Sequence, residues 1–172
     1  FNLLLQTMYT IISATNRKGS NTLKVAKQYQ SFFKSMQVDT TLYTLENFTS
    51  MHRDGHFDTL EKEILIPTEK FIFIMPEYNG SFPGIFKLLM DISDIKQCWY
   101  YKKVMLVGVA NGRAGNLRGI DNMTNMCHYM KMDVFHEKLP LSNISAELNE
   151  DAFFKENTIQ SIQHQIEGYI NY

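Results

Sequence analysis

"KFIFIMPEYNGSFPGIFKLLMD", residues 70–91, joins an apolar run to a helical pattern through an unusual turn. After Lys70 the run "KFIFIM" has no charged or hydrogen-bonding side chain, as expected of a central parallel strand covered on both faces. The segment from Pro83 resumes a helical period, and proline suits a first helical turn because its missing N–H would have no partner there. Between them, "PEYNGSFPG", residues 76–84, gathers two prolines, two glycines, an asparagine, a tyrosine and a carboxylate. Gly80 and Gly84 permit a positive φ or a close backbone approach, the prolines stiffen the ends, and Tyr78 offers a ring. A rigid turn with Glu77 in water accounts for any one of these residues, but less well for the group. Its backbone amides could meet the carbonyls and nitrogens of a flat heterocycle.

The same alternation extends in both directions. "KVMLVGVA", 103–110, is a second buried strand, and "MYTIIS" (8–13), "DTTLYTL" (39–45) and "MDVFHEKLP" (132–140) read as three more. Apolar residues three or four apart mark the intervening helices: Leu23, Ala26, Tyr29, Phe33 and Met36; then Ile120, Met123, Cys127 and Met130; then Ile159, Ile162, Ile166 and Tyr169. "FDTLEKEILI", 57–66, supplies a short crossover. Five strands alternating with helices predict an α/β fold of three layers, because parallel neighbours need crossovers of about a dozen residues or more. Residues 1–7 read as an appended or disordered leader ahead of one domain over 8–172.

With 17 basic and 18 acidic residues the net charge is −1, so no general electrostatic grip on nucleic acid or an anionic membrane is expected. No apolar stretch approaches the span of a bilayer, and the start lacks a secretory pattern. The two cysteines, Cys98 and Cys127, have no CxxC spacing, so neither a disulfide framework nor a thiolate metal site is indicated and a reducing, cytoplasmic setting is expected. His52 and His56 lack the surroundings of a zinc motif and read as a solvated loop. Lys87 and Asp91 are placed for an ion pair, and the methionines at 123, 126, 130 and 132 for core filling.

In open parallel sheets ligands bind beyond the carboxyl ends of the strands. Three loops lie there. "SATNRKGSNT", 13–22, offers Ser13, Thr15, Asn16, Ser20, Asn21 and Thr22 as hydrogen-bonding groups and Arg17 as a charge, ahead of a helix start whose unpaired amides favour an anion. Ser20 or Asn21 acting as a plain helix cap is about equally good an account of that loop. It has neither a P-loop nor a GxGxxG pattern, which leaves a single phosphate as the better fit. Residues 76–84 form the second loop. The third, "NGRAGNLRG" at 111–119, contributes Asn111, Gly112, Arg113 and Gly115, or else is a flexible turn with solvated arginines. A phosphate end, a floor for a planar ring and a flanking wall suggest flavin mononucleotide, FMN.

"RKGSNT", "PEYNGSFPGIFKLLMD" and "NGRAG" together resemble the NADPH-dependent FMN reductase family over nearly the whole chain from Met8. The family's usual glycine is Ala14 here, and its common tryptophan is Ile92. The resemblance implies a flavodoxin-like sheet in the order 2-1-3-4-5. It also implies a phosphate held around Thr15, Arg17, Ser20, Asn21 and Thr22, and an isoalloxazine ring against Pro76, Glu77, Tyr78, Asn79, Gly80, Ser81 and the loop 111–115. It further implies hydride transfer from NADPH or NADH through FMN to a small acceptor such as a quinone, azo compound, metal oxyanion or free flavin, in a homodimer or tetramer. No side-chain nucleophile or base is then required, since the cofactor carries the chemistry. The alternative is a flavodoxin-type FMN carrier of single electrons, disfavoured by the near-neutral charge.

Overall fold

The computed structural model describes residues 7–148 and 154–172. Apart from Thr7, the expected leader lies outside the described residues, as does 149–153. The chain runs β1 (Tyr9–Ser13), α1 (Asn21–Ser35), β2 (Thr40–Thr44), α2 (Gly55–Leu60, continuing as a π-turn over Glu61–Leu65), β3 (Lys70–Pro76), α3 (Gly84–Ile92) and α4 (Ile95–Cys98). It continues with β4 (Lys103–Val109), α5 (Leu117–Tyr129), β5 (Asp133–Val134), β6 (Leu139–Leu141), α6 (Ile144–Glu147) and α7 (Glu156–Asn171). All the strand pairs are parallel and the order is β2-β1-β3-β4-β5, with β6 also on β4. This is the expected flavodoxin-like sheet.

Successive strand residues point to opposite faces, and both faces are covered. Phe71, Phe73 and Met75 of β3, with Val104 and Leu106 of β4, pack beneath α2, α3, α4 and α5 around buried Trp99. Ile72, Ile74, Met105 and Val107 pack the other way, against Val25, Tyr29 and Phe33 of α1 and Ile162, Ile166 and Tyr169 of α7. Every residue of β3 is buried, which is why its sequence reads as an unbroken apolar run. The methionines at 123, 130 and 132 lie in the core, and Lys87 pairs with Asp91 along α3. Pro83 stands one residue before α3, as its cap, and Gly84 opens the helix without a positive φ.

The fifth strand differs from the expectation. The run 132–140 does not form one ladder, because β5 and β6 pair with the two ends of β4, and beyond the bond from Phe135 N to Val104 O at 2.9 Å residues 136–138 lie between the two ladders. Gln165 of α7 fills the gap. Its carboxamide donates to Leu106 O at 3.4 Å and Glu137 O at 3.0 Å, and its oxygen accepts from the buried Tyr29 hydroxyl at 2.9 Å. A helix side chain thus supplies the donor that a continuous strand would have given.

Cys98 and Cys127 are both free and buried. Burial, reinforced by the Glu61 carboxylate, pushes the Cys98 thiol up to about 12, and burial alone pushes Cys127 to about 12. The thiolate is the reactive form, and at pH 8 it would be on the order of one part in ten thousand. Native protein is therefore expected to resist a chromogenic disulfide reagent for hours at pH 8, and to release both thiols at once in denaturant. Rapid labelling of the folded protein would contradict this packing.

Candidate functional site

The strand register brings the three loops to one rim. Ser13 of β1 pairs with Thr44 of β2 and Ile74 of β3, and Pro76 pairs with Val109, so the chain leaves β1, β3 and β4 side by side. They enclose an open cleft of about 150 Å³ walled by Thr15, Arg17, Ser20, Asn21, Thr22, Pro76, Glu77, Tyr78 and Asn111, with Val109, Ala110 and Ile144.

The first loop keeps its last three amides available. The Ser20 hydroxyl caps α1 by accepting from Leu23 N at 3.1 Å, so the cap reading of this residue holds. The Ser20, Asn21 and Thr22 amides nevertheless donate to nothing among the described residues. They stand at the positive end of a 15-residue helix with no acidic residue in its first turn. The turn before them has Gly19 at φ 62°, and Gly19 N donates to Glu46 Oε1 at 2.7 Å.

The second loop is a two-residue hairpin. Tyr78 and Ser81 exchange backbone bonds, N to O at 2.8 Å and 3.1 Å. Asn79 and Gly80 both have positive φ, 53° and 75°. That is the Asn-Gly geometry of a type I′ turn. The Asn79 and Gly80 amides have no acceptor among the described residues. Asn122 of α5 donates to the Ser81 hydroxyl at 3.0 Å, fixing the hairpin from beneath. The Tyr78 hydroxyl and Thr15 Oγ1 are 2.7 Å apart, and the Arg17 guanidinium lies 5.5 Å over the Tyr78 ring, joining the first two loops.

The third loop is built by close packing. Gly115 has φ 56°, and a Cβ there would lie 2.5 Å from the Pro140 carbonyl carbon. Buried Asn116, also left-handed, donates to Met75 O at 2.9 Å and so ties the loop to β3.

The expected residues do not all face the cleft. Ser13 is buried at the end of β1 with no partner for its hydroxyl among the described residues, and Gly115 is buried against β6. Asn16, Asn79, Gly80, Ser81, Gly112 and Arg113 stand outside the cleft wall, on the loops that carry it. Sequence reading missed a fourth wall. After β6 the chain turns back over the cleft, with Ile144 N bonded to Ala110 O at 3.1 Å and Ser145 N to Asn111 Oδ1 at 3.0 Å. Asn21 donates to Ser145 Oγ at 3.3 Å, so this segment links the first loop to the third. Among the described residues no cluster of three metal-capable side chains occurs, and no helix is long and apolar enough to cross a membrane.

The sequence model of the family described as NADPH-dependent FMN reductase matches residues 8–145. Among solved structures, the flavoenzyme NAD(P)H:(acceptor) oxidoreductase FerB from Paracoccus denitrificans is similar at a TM-score of 0.72 and 17% identity, over 98% of this chain and 97% of that one. An apo NADH:FMN oxidoreductase, EMOB, gives a TM-score of 0.77 at 12% identity over 95% and 88%. The flavodoxin of Streptococcus pneumonia TIGR4 gives 0.62 at 15% identity over 96% and 99%. At such identities these likenesses carry the fold.

Proposed function

Because the chain belongs to the NADPH-dependent FMN reductase family, we propose that this cleft holds FMN and serves electron transfer from NADPH or NADH to a small acceptor. A quinone, azo compound, metal oxyanion or free flavin is the class of acceptor we have in mind. The observation that carries this reading is the set of three unused amides, at Ser20, Asn21 and Thr22, on residues that wall a cleft together with Pro76, Glu77 and Tyr78 and with Asn111 of the loop after β4.

The donor set fits the cofactor. The α1 amides, with Arg17, would hold a phosphate, since an anion there gains both hydrogen bonds and the helix field. The free amides at Asn79 and Gly80, just beyond the cleft wall, would meet the polar edge of the ring, with Pro76 and Glu77 at the head of that loop and Asn111 on the loop after β4. Bound FMN supplies the hydride-accepting and hydride-donating chemistry. The chain's own residues fix its orientation: the Tyr78–Thr15 bond sets the distance between the first two loops, and the Asn111–Ser145 bond sets the fourth wall. Rigid placement of this kind lowers the barrier by holding reactants in line, without an acid or base from the protein.

We place the protein in the cytoplasm as a homodimer. Leu117 of α5 is 48% exposed, and Ile85, Leu88 and Ile92 of α3 are only partly buried, so this layer has some apolar surface that a second copy could cover. The decisive experiment is to load the protein with FMN and mix it anaerobically with NADPH, then NADH, following the flavin absorbance, before presenting a panel of acceptors. Rapid bleaching followed by reoxidation with a small acceptor is expected. Slow bleaching with fast one-electron exchange would favour a carrier, and failure to retain FMN would overturn the reading.

A further inference from the structure

Glu46 lies outside the three loops, yet its carboxylate is bonded to the turn that presents the cradle. The β1–β2 register sets Thr44 beside Ser13, so the chains leaving the two strands run together. Thr44 then caps a short 3₁₀ turn, Leu45–Asn47, accepting from Glu46 N at 3.2 Å through its hydroxyl, while Leu45 is buried. Glu46 is thus held on a fixed base. From there its Oε1 accepts from Gly19 N at 2.7 Å. Gly19 is the left-handed residue immediately before Ser20, and a Cβ at Gly19 would meet nothing within 4 Å, so no neighbour packs against that side of the turn. Among the described residues, this carboxylate is the acceptor for that amide.

We propose that Glu46 is a positioning residue of the anion cradle. By holding the Gly19 amide it fixes the turn from which the Ser20, Asn21 and Thr22 amides open into the cleft, and so selects for a flavin that carries a phosphate. The inference rests on the reading that the phosphate of FMN occupies this end of the cleft. Glu46 touches neither cofactor nor substrate in this account; it acts through the Gly19 amide.

The test compares Glu46→Ala and Glu46→Gln with the wild-type chain by two measurements, hydrogen exchange of the Gly19 amide in ligand-free protein and equilibrium binding of FMN and of riboflavin. Loss of a hydrogen bond to a charged group makes Glu46→Ala expected to speed Gly19 exchange about tenfold or more and to weaken FMN binding about tenfold. Riboflavin, lacking the phosphate, should change by less than about threefold, because no cradle contact is at stake. Glu46→Gln retains an acceptor oxygen and should restore most of both effects. Unchanged Gly19 exchange in Glu46→Ala would overturn the proposal, as would equal weakening of FMN and riboflavin, which marks a general loss of structure. Wild-type protein that binds the two flavins equally would instead reject the phosphate reading, and with it the selection assigned to Glu46; Gly19 exchange would then decide whether the carboxylate anchors the turn.

Discussion

Gly108→Ala is expected to destabilise the fold by about 3 kcal/mol, lowering the melting temperature by roughly 6 to 12 °C for a chain of this size. Gly108 lies in β4, between Met75 of β3 and Pro140 of β6. A Cβ there would fall 2.2 Å from the Gly115 carbonyl oxygen and 2.9 Å from Ile120 Cδ1. The leucine-sized contact could adjust its rotamer, but the carbonyl belongs to a backbone already packed against Pro140. Something in the third loop must move, and Asn116 with its bond to Met75 O would move with it. Gly112→Ala is the control: nothing lies within 4 Å of its Cβ position and its φ is not positive, so a change within about 0.5 kcal/mol is expected. Thermal and denaturant unfolding of the two variants would settle the matter. Equal stability would mean that the β4–α5 junction is looser than described.

Arg17→Ala should have its effect on binding. Its guanidinium walls the cleft over the Tyr78 ring. Removing a charged donor to phosphate is expected to weaken FMN about 10- to 100-fold, because such bonds contribute more than neutral ones. Riboflavin should be nearly indifferent to the change. Arg17→Lys should recover part of the loss, since an ammonium keeps the charge without the planar fork and stacks less well on tyrosine. Raised ionic strength should narrow the difference between wild type and Arg17→Ala, as screening weakens an exposed charge. Titration of protein fluorescence with each flavin measures all of this. An equal loss for both flavins would place Arg17 in the architecture of the loop and not in phosphate binding.

The layers of the fold were legible wherever burial imposed a local pattern. The runs 71–75 and 104–107 are apolar because both faces of those strands are covered, and the stripes on α1, α5 and α7 face the sheet at helical period. The hairpin is half legible: Asn79-Gly80 carries the chemistry of a two-residue turn, and of the two glycines that allow a positive φ or a close approach, Gly80 has the positive φ and Gly84 does not. What escaped were contacts between segments remote in sequence. The break in the fifth strand depends on Gln165, which looks like any polar residue on a helix until its partners at Leu106 and Glu137 are known. The fourth wall comes from Ile144 and Ser145, in a polar stretch with no turn signature that would point toward Asn111. Glu46 is equally unremarkable in sequence, and only the pairing of β1 with β2 carries it to Gly19.

The plug formed by Gln165 also bears on the order in which the molecule can mature. Its partners Tyr29, Leu106 and Glu137 are all synthesised earlier, Tyr29 by 136 positions, so a nascent chain that has emerged only through β6 has carbonyls at Leu106 and Glu137 still waiting for their donor. Closure over such distances carries a large loop entropy before any contact repays it. The gap between β5 and β6 therefore stays unfilled until α7 arrives, so the last helix completes a sheet edge that two short strands cover only at its ends.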